Sequence, residues 1–184
     1  MIAPAVVNGI DTDALRGVIE AVKENPAHAA THWQVATHWR GGTRSDTKVN
    51  ECTIGGEKIA KDFTIRIDEP LQLGGTNQYA NPQEYLLASL NACMIVGYSA
   101  LCALEGIELT SLRIETEGDI DLRGFLGLST DVKPGYDELR YTVHLKGTGT
   151  PEQFEKIHRA VMATSPNYFN VRNSVALKSR LVVD

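Results

Sequence analysis

The sequence predicts an α+β fold, with mostly antiparallel sheets around one long, buried central helix. Three observations carry this. From Tyr85 to Leu104 no residue is charged, and both ends of that stretch carry helix punctuation. Elsewhere, short segments alternate apolar and polar residues with the period of a strand. These strand segments come in groups rather than alternating one for one with helices, which favours antiparallel pairing.

The elements follow in order. Ala14, Leu15, Val18, Ile19 and Val22 fall at helical spacing, so Asp11 to Glu24 reads as an amphipathic helix. Asp11 can cap it, and Asn25-Pro26 stops it. Trp33, Val35, Thr37 and Trp39 alternate as one strand; Gly41-Gly42 turns the chain, and Thr43 to Thr53 returns antiparallel. After Gly55-Gly56, the residues Phe63, Ile65 and Ile67 mark a third strand that ends at Pro70. The loop LQLGGTNQYA then leads into the central helix, where Asn81 caps, Pro82 suits the first helical position and Glu84 sits at the capping-box position. Apolar residues are not confined to one stripe, so this helix is expected to be buried nearly all round. Gly106 suits its left-handed end.

Leu112, Ile114 and Thr116 begin a strand running to about Asp121, and LRGFLGLSTDVKPGY is a long, glycine-punctuated loop. Leu139 to Leu145 alternate as the next strand. Thr150-Pro151-Glu152-Gln153 opens a helix that stops at Ser165-Pro166, and Ser174 to Val183 reads as a final strand.

Composition bounds the function. A chain of 184 residues fits one domain, here expected as residues 31–184 behind an N-terminal helical extension, residues 1–30. A net charge of -5 without a basic run argues against nucleic acid as a partner. Ser89, Asn91, Gly97 and Ser99 dilute the apolar stretch, and no Lys or Arg cluster flanks it, so a core helix is expected rather than a membrane span. The first residues lack the basic start and apolar run of a signal peptide. Three cysteines without regular spacing make no disulfide framework, which points to a reducing, cytoplasmic setting.

Cys93, near the middle of the long helix, has the best claim to chemistry. At mid-helix the dipole does little for its thiol, so a reactive thiolate there needs a cation brought from elsewhere. At about 100° per residue, Ser89, Val96, Gly97 and Ala100 share its face, Gln83 is turned by roughly 80°, and Glu84 and Cys102 lie opposite. Arg40 and Arg44 flank the Gly41-Gly42 turn and could deliver a guanidinium. Cys52 and Cys102 read as structural. His28 and His32 stand four apart, but Pro26 argues against a helix there and no third ligand is evident, so no metal site is expected. His158 is conceivable as a base for Cys93, without support from spacing.

The run NPQEYLLASLNAC, its continuing helix and the later GDIDLRGFLGL resemble the OsmC/Ohr superfamily over about Thr31 to Asp184. The most specific match is Asn81-Pro82, with Cys93 twelve residues after Asn81. The resemblance implies an intertwined homodimer with active sites at the dimer interface. It implies a thiolate that attacks a small organic hydroperoxide, a second cysteine that closes a disulfide, and an arginine and glutamate around the sulfur. It implies no bound cofactor, only an external dithiol reductant.

Carried over, Cys93 matches the peroxidatic cysteine and Arg44 the arginine. The glutamate position after Asn-Pro is Gln83, with Glu84 one residue late. Ser165-Pro166 stands where the resolving Cys-Pro would be. Two functions are therefore expected to compete. One is a single-thiolate hydroperoxide reductase of the oxidative or osmotic stress response. The other is a dimer that binds a small apolar ligand without turnover.

Overall fold

A computed structural model describes residues 5–183, and the chain falls into two units that divide between Leu86 and Leu87. In the first unit, strands β1 (Val6–Val7) and β2 (Ile10–Asp11) form an antiparallel hairpin. Helix α1 spans Thr12–Glu24, and the carboxylate of Asp11 caps it by accepting from Ala14 N at 2.9 Å. A 3-10 turn, Pro26–Ala29, follows at the expected stop.

The sheet of this unit has β5 (Ser45–Ile54) at its centre and β6 (Glu57–Ile67) along one edge of it. The single strand expected through Trp33–Trp39 is two: β3 (Thr31–Trp33) and β4 (Ala36–Trp39), both antiparallel to the other edge of β5. The break at Gln34-Val35 lies opposite the segment of β5 where its pairing with β6 shifts register, between Val49 and Glu51. A bulge of that kind bends the ladder locally, and a straight neighbour cannot follow it.

Asp68 organises the loop after β6. Its side chain has no accessible surface, and it accepts from Thr43 Oγ1 at 2.8 Å, Thr76 Oγ1 at 2.6 Å, Thr76 N at 3.1 Å and Gln78 N at 3.2 Å. This ties the Gly41-Gly42 turn and the loop before the long helix to one carboxylate. Gly75 passes so close to Glu69 that an added Cβ would lie 1.7 Å from the Glu69 carbonyl oxygen.

Helix α2, Pro82–Leu104, starts in the first unit and continues into the second. Its start is a capping box: Asn81 Oδ1 accepts from Glu84 N at 2.8 Å, and Glu84 Oε2 accepts from Asn81 N at 2.7 Å. It ends as the sequence predicts, with Gly106 at φ 70°; Ile107 N donates back to Cys102 O at 2.8 Å.

The second unit builds its core on that helix. Strands β7 (Leu109–Glu117) and β8 (Arg140–Gly147) pair antiparallel. Between them the loop holds a short helix, α3 (Leu122–Phe125), and helix α4 (Pro151–Thr164) starts with the expected Thr150/Gln153 capping box. Leu90, Met94, Tyr98 and Cys102 of α2 are buried with Ile107, Ile114, Ile157 and Val161.

Two expectations need correction here. Helix α2 is not buried all round: one i, i+4 stripe is buried, while Val96 is 67% exposed and Leu86 and Ile95 are also exposed. A single chain supplies a packing layer for only one side of it. The expected final strand is likewise absent among the described residues, because residues 174–183 form no regular element and pair with no strand. A strand is stable only where a neighbouring edge takes up its backbone groups. A feature the sequence did not announce is α5 (Pro166–Arg172), which begins immediately after α4 with Ser165 as its N-cap.

The hydrogen bonds from Thr76 first, then Thr43 and the loop amides, hold the Asp68 carboxyl well below the usual carboxylate range, against the opposing effect of its burial. A lowered native pKa stabilises the fold fully above the unfolded value of about 4 and loses that contribution as pH falls below it. Asp68→Asn should therefore lower the melting temperature at pH 7, and its deficit against wild type should shrink as pH drops below about 4. Parallel melting curves across pH 2–7 check this; a deficit independent of pH would contradict it.

Candidate functional site

Cys93 is partly buried, whereas Cys52 and Cys102 are fully buried. Burial, with Glu105 as a lesser cause, pushes the Cys102 thiol above its ordinary range, so it is a poor nucleophile at neutral pH. The structural reading of those two cysteines fits their environments.

The surroundings of Cys93 follow from how α4 and α5 run along α2. On α2, the residues Ser89, Cys93 and Gly97 stand at i, i+4 spacing and form one line. Facing them are Asn167, Ser165 and Val161, in reverse order. Asn167 Nδ2 donates to Ser89 O at 2.9 Å, and Ser165 Oγ donates to Cys93 Sγ at 3.3 Å. At Gly97 an added Cβ would sit 3.3 Å from Val161 Cγ2, so glycine there lets α4 come close. The helices thus run antiparallel, with the α4–α5 bend placed against Cys93.

That bend is tightly specified. Ser165 is 5% exposed. Its N–H donates to Val161 O at 2.9 Å, its carbonyl accepts from Phe169 N at 3.0 Å, and its Oγ accepts from Tyr168 N at 3.4 Å. Pro166 occupies the first helical position, where its fixed φ and missing N–H cost nothing. Serine before proline is a helix-start signal as well as a stop. Its second meaning would have revealed α5 and its cap from sequence.

Other predicted residues stand as follows. Glu84 spends its carboxylate on the cap of α2, and Gln83 is exposed on the same turn. In the first unit, Arg40 is paired: its Nε donates to Asp46 Oδ2 at 2.9 Å. The guanidinium of Arg44 only donates to Arg40 O at 3.4 Å and has no carboxylate partner among the described residues. Of the two arginines, Arg44 is the one left available to an anion. Glu69 Oε2 is buried without a hydrogen-bond partner among the described residues.

Two histidines are otherwise occupied. His28 Nδ1 lies 3.2 Å from Ala21 O and its Nε2 3.4 Å from Asn25 Nδ2, on the 3-10 turn rather than on a helix shared with His32. His158 Nδ1 is 2.5 Å from the hydroxyl of Tyr98, a side chain with no accessible surface. Burial pushes that phenol far above its ordinary range, so Tyr98 stays protonated and shares a hydrogen bond with the imidazole. This pairing gives His158 a role in the core, and no described contact links it to Cys93.

Chemically, the second unit offers one accessible sulfur with a hydroxyl donor against it. A hydroxyl can stabilise a thiolate but cannot form a disulfide with it.

A family model described as OsmC-like protein matches residues 75–180. Among solved structures, an OsmC-like protein from Mycoplasma pneumoniae is similar with a TM-score of 0.60 at 15% identity, over 77% of this chain and 88% of that one. An OsmC-like protein of unknown function from Vibrio cholerae is similar with a TM-score of 0.52 at 16% identity, over 74% of this chain and 91% of that one. No curated protein matches. At such identities the structural likeness speaks for the fold alone.

Proposed function

Because the chain belongs to the OsmC-like family, we propose that it reduces small organic hydroperoxides through a single thiolate, Cys93. The observation that carries this reading is the state of the sulfur: Cys93 is the one partly accessible cysteine among three, and its described polar contact is a donor. The thiolate attacks the terminal oxygen of the hydroperoxide. A sulfur–oxygen bond forms, the oxygen–oxygen bond breaks, and the alkoxide leaves with a proton as an alcohol. Cys93 becomes a sulfenic acid. With Ser165 in place of a second thiol, an external dithiol attacks the oxidised sulfur and water leaves. The second thiol of that reductant then displaces Cys93 from the mixed disulfide. Arg44 is the proposed cation for the thiolate, since its guanidinium has no carboxylate partner among the described residues.

We further propose that the working form is a homodimer. Apolar surface left uncovered in one chain supports this. Val96 on α2, Trp33 and Phe63 on the sheet, and Val18 and Ile19 on α1 are exposed, as is Trp39 at 76%. Residues 174–183 leave Val175, Leu177 and Leu181 exposed, with Leu177 93% exposed. Exposed apolar surface of this kind supports an interface between copies. By length and composition α2 would pass as a membrane span, but its stripe packed among β7, β8 and α4 is that of a core helix. A reducing cytoplasmic setting fits three unpaired cysteines.

One observation favours the competing reading, a dimer pocket that binds an apolar ligand without turnover. The described partner of Cys93 Sγ is a neutral hydroxyl rather than a cation.

Turnover of cumene hydroperoxide with a dithiol should be measurable for wild type and should fall to the uncatalysed background in Cys93→Ser. Background rates in both proteins would overturn the enzyme reading and leave the binding reading. In Ser165→Cys, the same peroxide should close an intrachain disulfide to Cys93, seen as loss of two titratable thiols. Sedimentation of the purified chain should give twice the mass of one chain, and a monomer at micromolar concentration would contradict the dimer.

A further inference from the structure

We propose that Ser165 is a positioning residue for Cys93, whose hydroxyl is aimed at the sulfur and donates to the thiolate when it forms. This rests on the reading of Cys93 as the nucleophile and adds how that thiol is kept reactive. The geometry leaves the Ser165 hydroxyl little choice. Its oxygen already accepts from Tyr168 N, so its proton is free to point along the remaining direction, where Cys93 Sγ lies at 3.3 Å. The residue is buried, with only 5% of its surface exposed. A donor that is itself accepting a hydrogen bond is polarised and donates more strongly. A charged acceptor such as a thiolate gains more from it than a neutral thiol does.

The hydroxyl is also held in place. Asn167 Nδ2 clamps the start of α5 to Ser89 O, one turn before Cys93 on the same line of α2. Pro166 fixes the backbone between the two anchors. The result is a relay from Tyr168 N–H through the Ser165 hydroxyl to the sulfur. Other titratable groups on the packed elements are engaged elsewhere: Tyr98 with His158, and Tyr168 edge-on against Tyr141. Cys102 is buried within the last turn of α2. The only donor to Cys93 Sγ among the described residues is Ser165.

A serine at this position would be a helix cap in any case, so the test must separate capping from donation. Asp and Thr both cap helices. Thr keeps a hydroxyl donor, whereas Asp offers only an acceptor and a negative charge. The measurement is the pH dependence of Cys93 alkylation by iodoacetamide, with Cys93→Ser as the blank and melting curves to verify folding.

Ser165→Ala should shift the alkylation profile up by about one pH unit, so that the rate at pH 7 falls roughly tenfold. Ser165→Thr should restore the wild-type profile, and Ser165→Asp should shift it further than Ala while keeping the melting temperature. Where Ser165→Ala fails to fold, the Thr and Asp pair decides. Coincident profiles for Thr and Asp, or for wild type and Ala, would reduce Ser165 to a cap and overturn the proposal. The readout needs no peroxide. A shifted profile in a protein without turnover keeps the positioning role and rejects the peroxidase, while turnover with unshifted profiles does the reverse.

Discussion

The structure depends on how α2 is covered. Its buried stripe, Leu90, Met94, Tyr98 and Cys102, is the spine of the second unit's core. Each fully buried side chain of that size is worth about 1.5–3 kcal/mol, so the stripe dictates which face of α2 meets α4. Everything near Cys93 follows from that choice. Gly97 lets Val161 approach, the approach brings the end of α4 alongside Cys93, and the chain must then turn at Ser165-Pro166. The sulfur lies beside the stripe rather than in it, which is why it is partly accessible while Cys102 is sealed.

The same constraint explains what is left undone in one chain. A helix apolar on several sides cannot be satisfied by one pair of strands and one helix. The first unit has the complementary shortage: its sheet has apolar aromatics in solvent, and the described hydrophobic core cluster draws nothing from it. Its order comes instead from a polar hub, Asp68, which fixes the loop leading into α2.

Much of this was legible in the sequence because it rests on local rules. The caps at Asp11, Asn81 and Thr150, the stop at Asn25-Pro26 and the left-handed Gly106 depend on residues within one turn of each other, and each appears as read. What misled was long-range. The alternation through Trp33–Trp39 continues across the break at Gln34-Val35, because the cause lies in the bulge between the neighbouring strands. The alternation of residues 174–183 is genuine, but a strand also needs an edge, which the pattern cannot supply. Hydrophobicity of α2 announced burial without saying which face. At the site, Cys93 was found from its sequence context, whereas Ser165 was first noticed for the thiol it lacks. Its donated hydrogen bond depends on α4 and α2 meeting, which no local pattern encodes.

The most direct measurement is to trap the oxidised sulfur. The reduced protein would be treated with one equivalent of cumene hydroperoxide without added thiol, then with dimedone, and the adduct located by peptide mapping. A reactive single thiol with no resolving partner predicts dimedone on Cys93, with Cys52 and Cys102 still reduced. Peroxide left unconsumed and Cys93 unmodified, or an adduct on either buried cysteine instead, would contradict it.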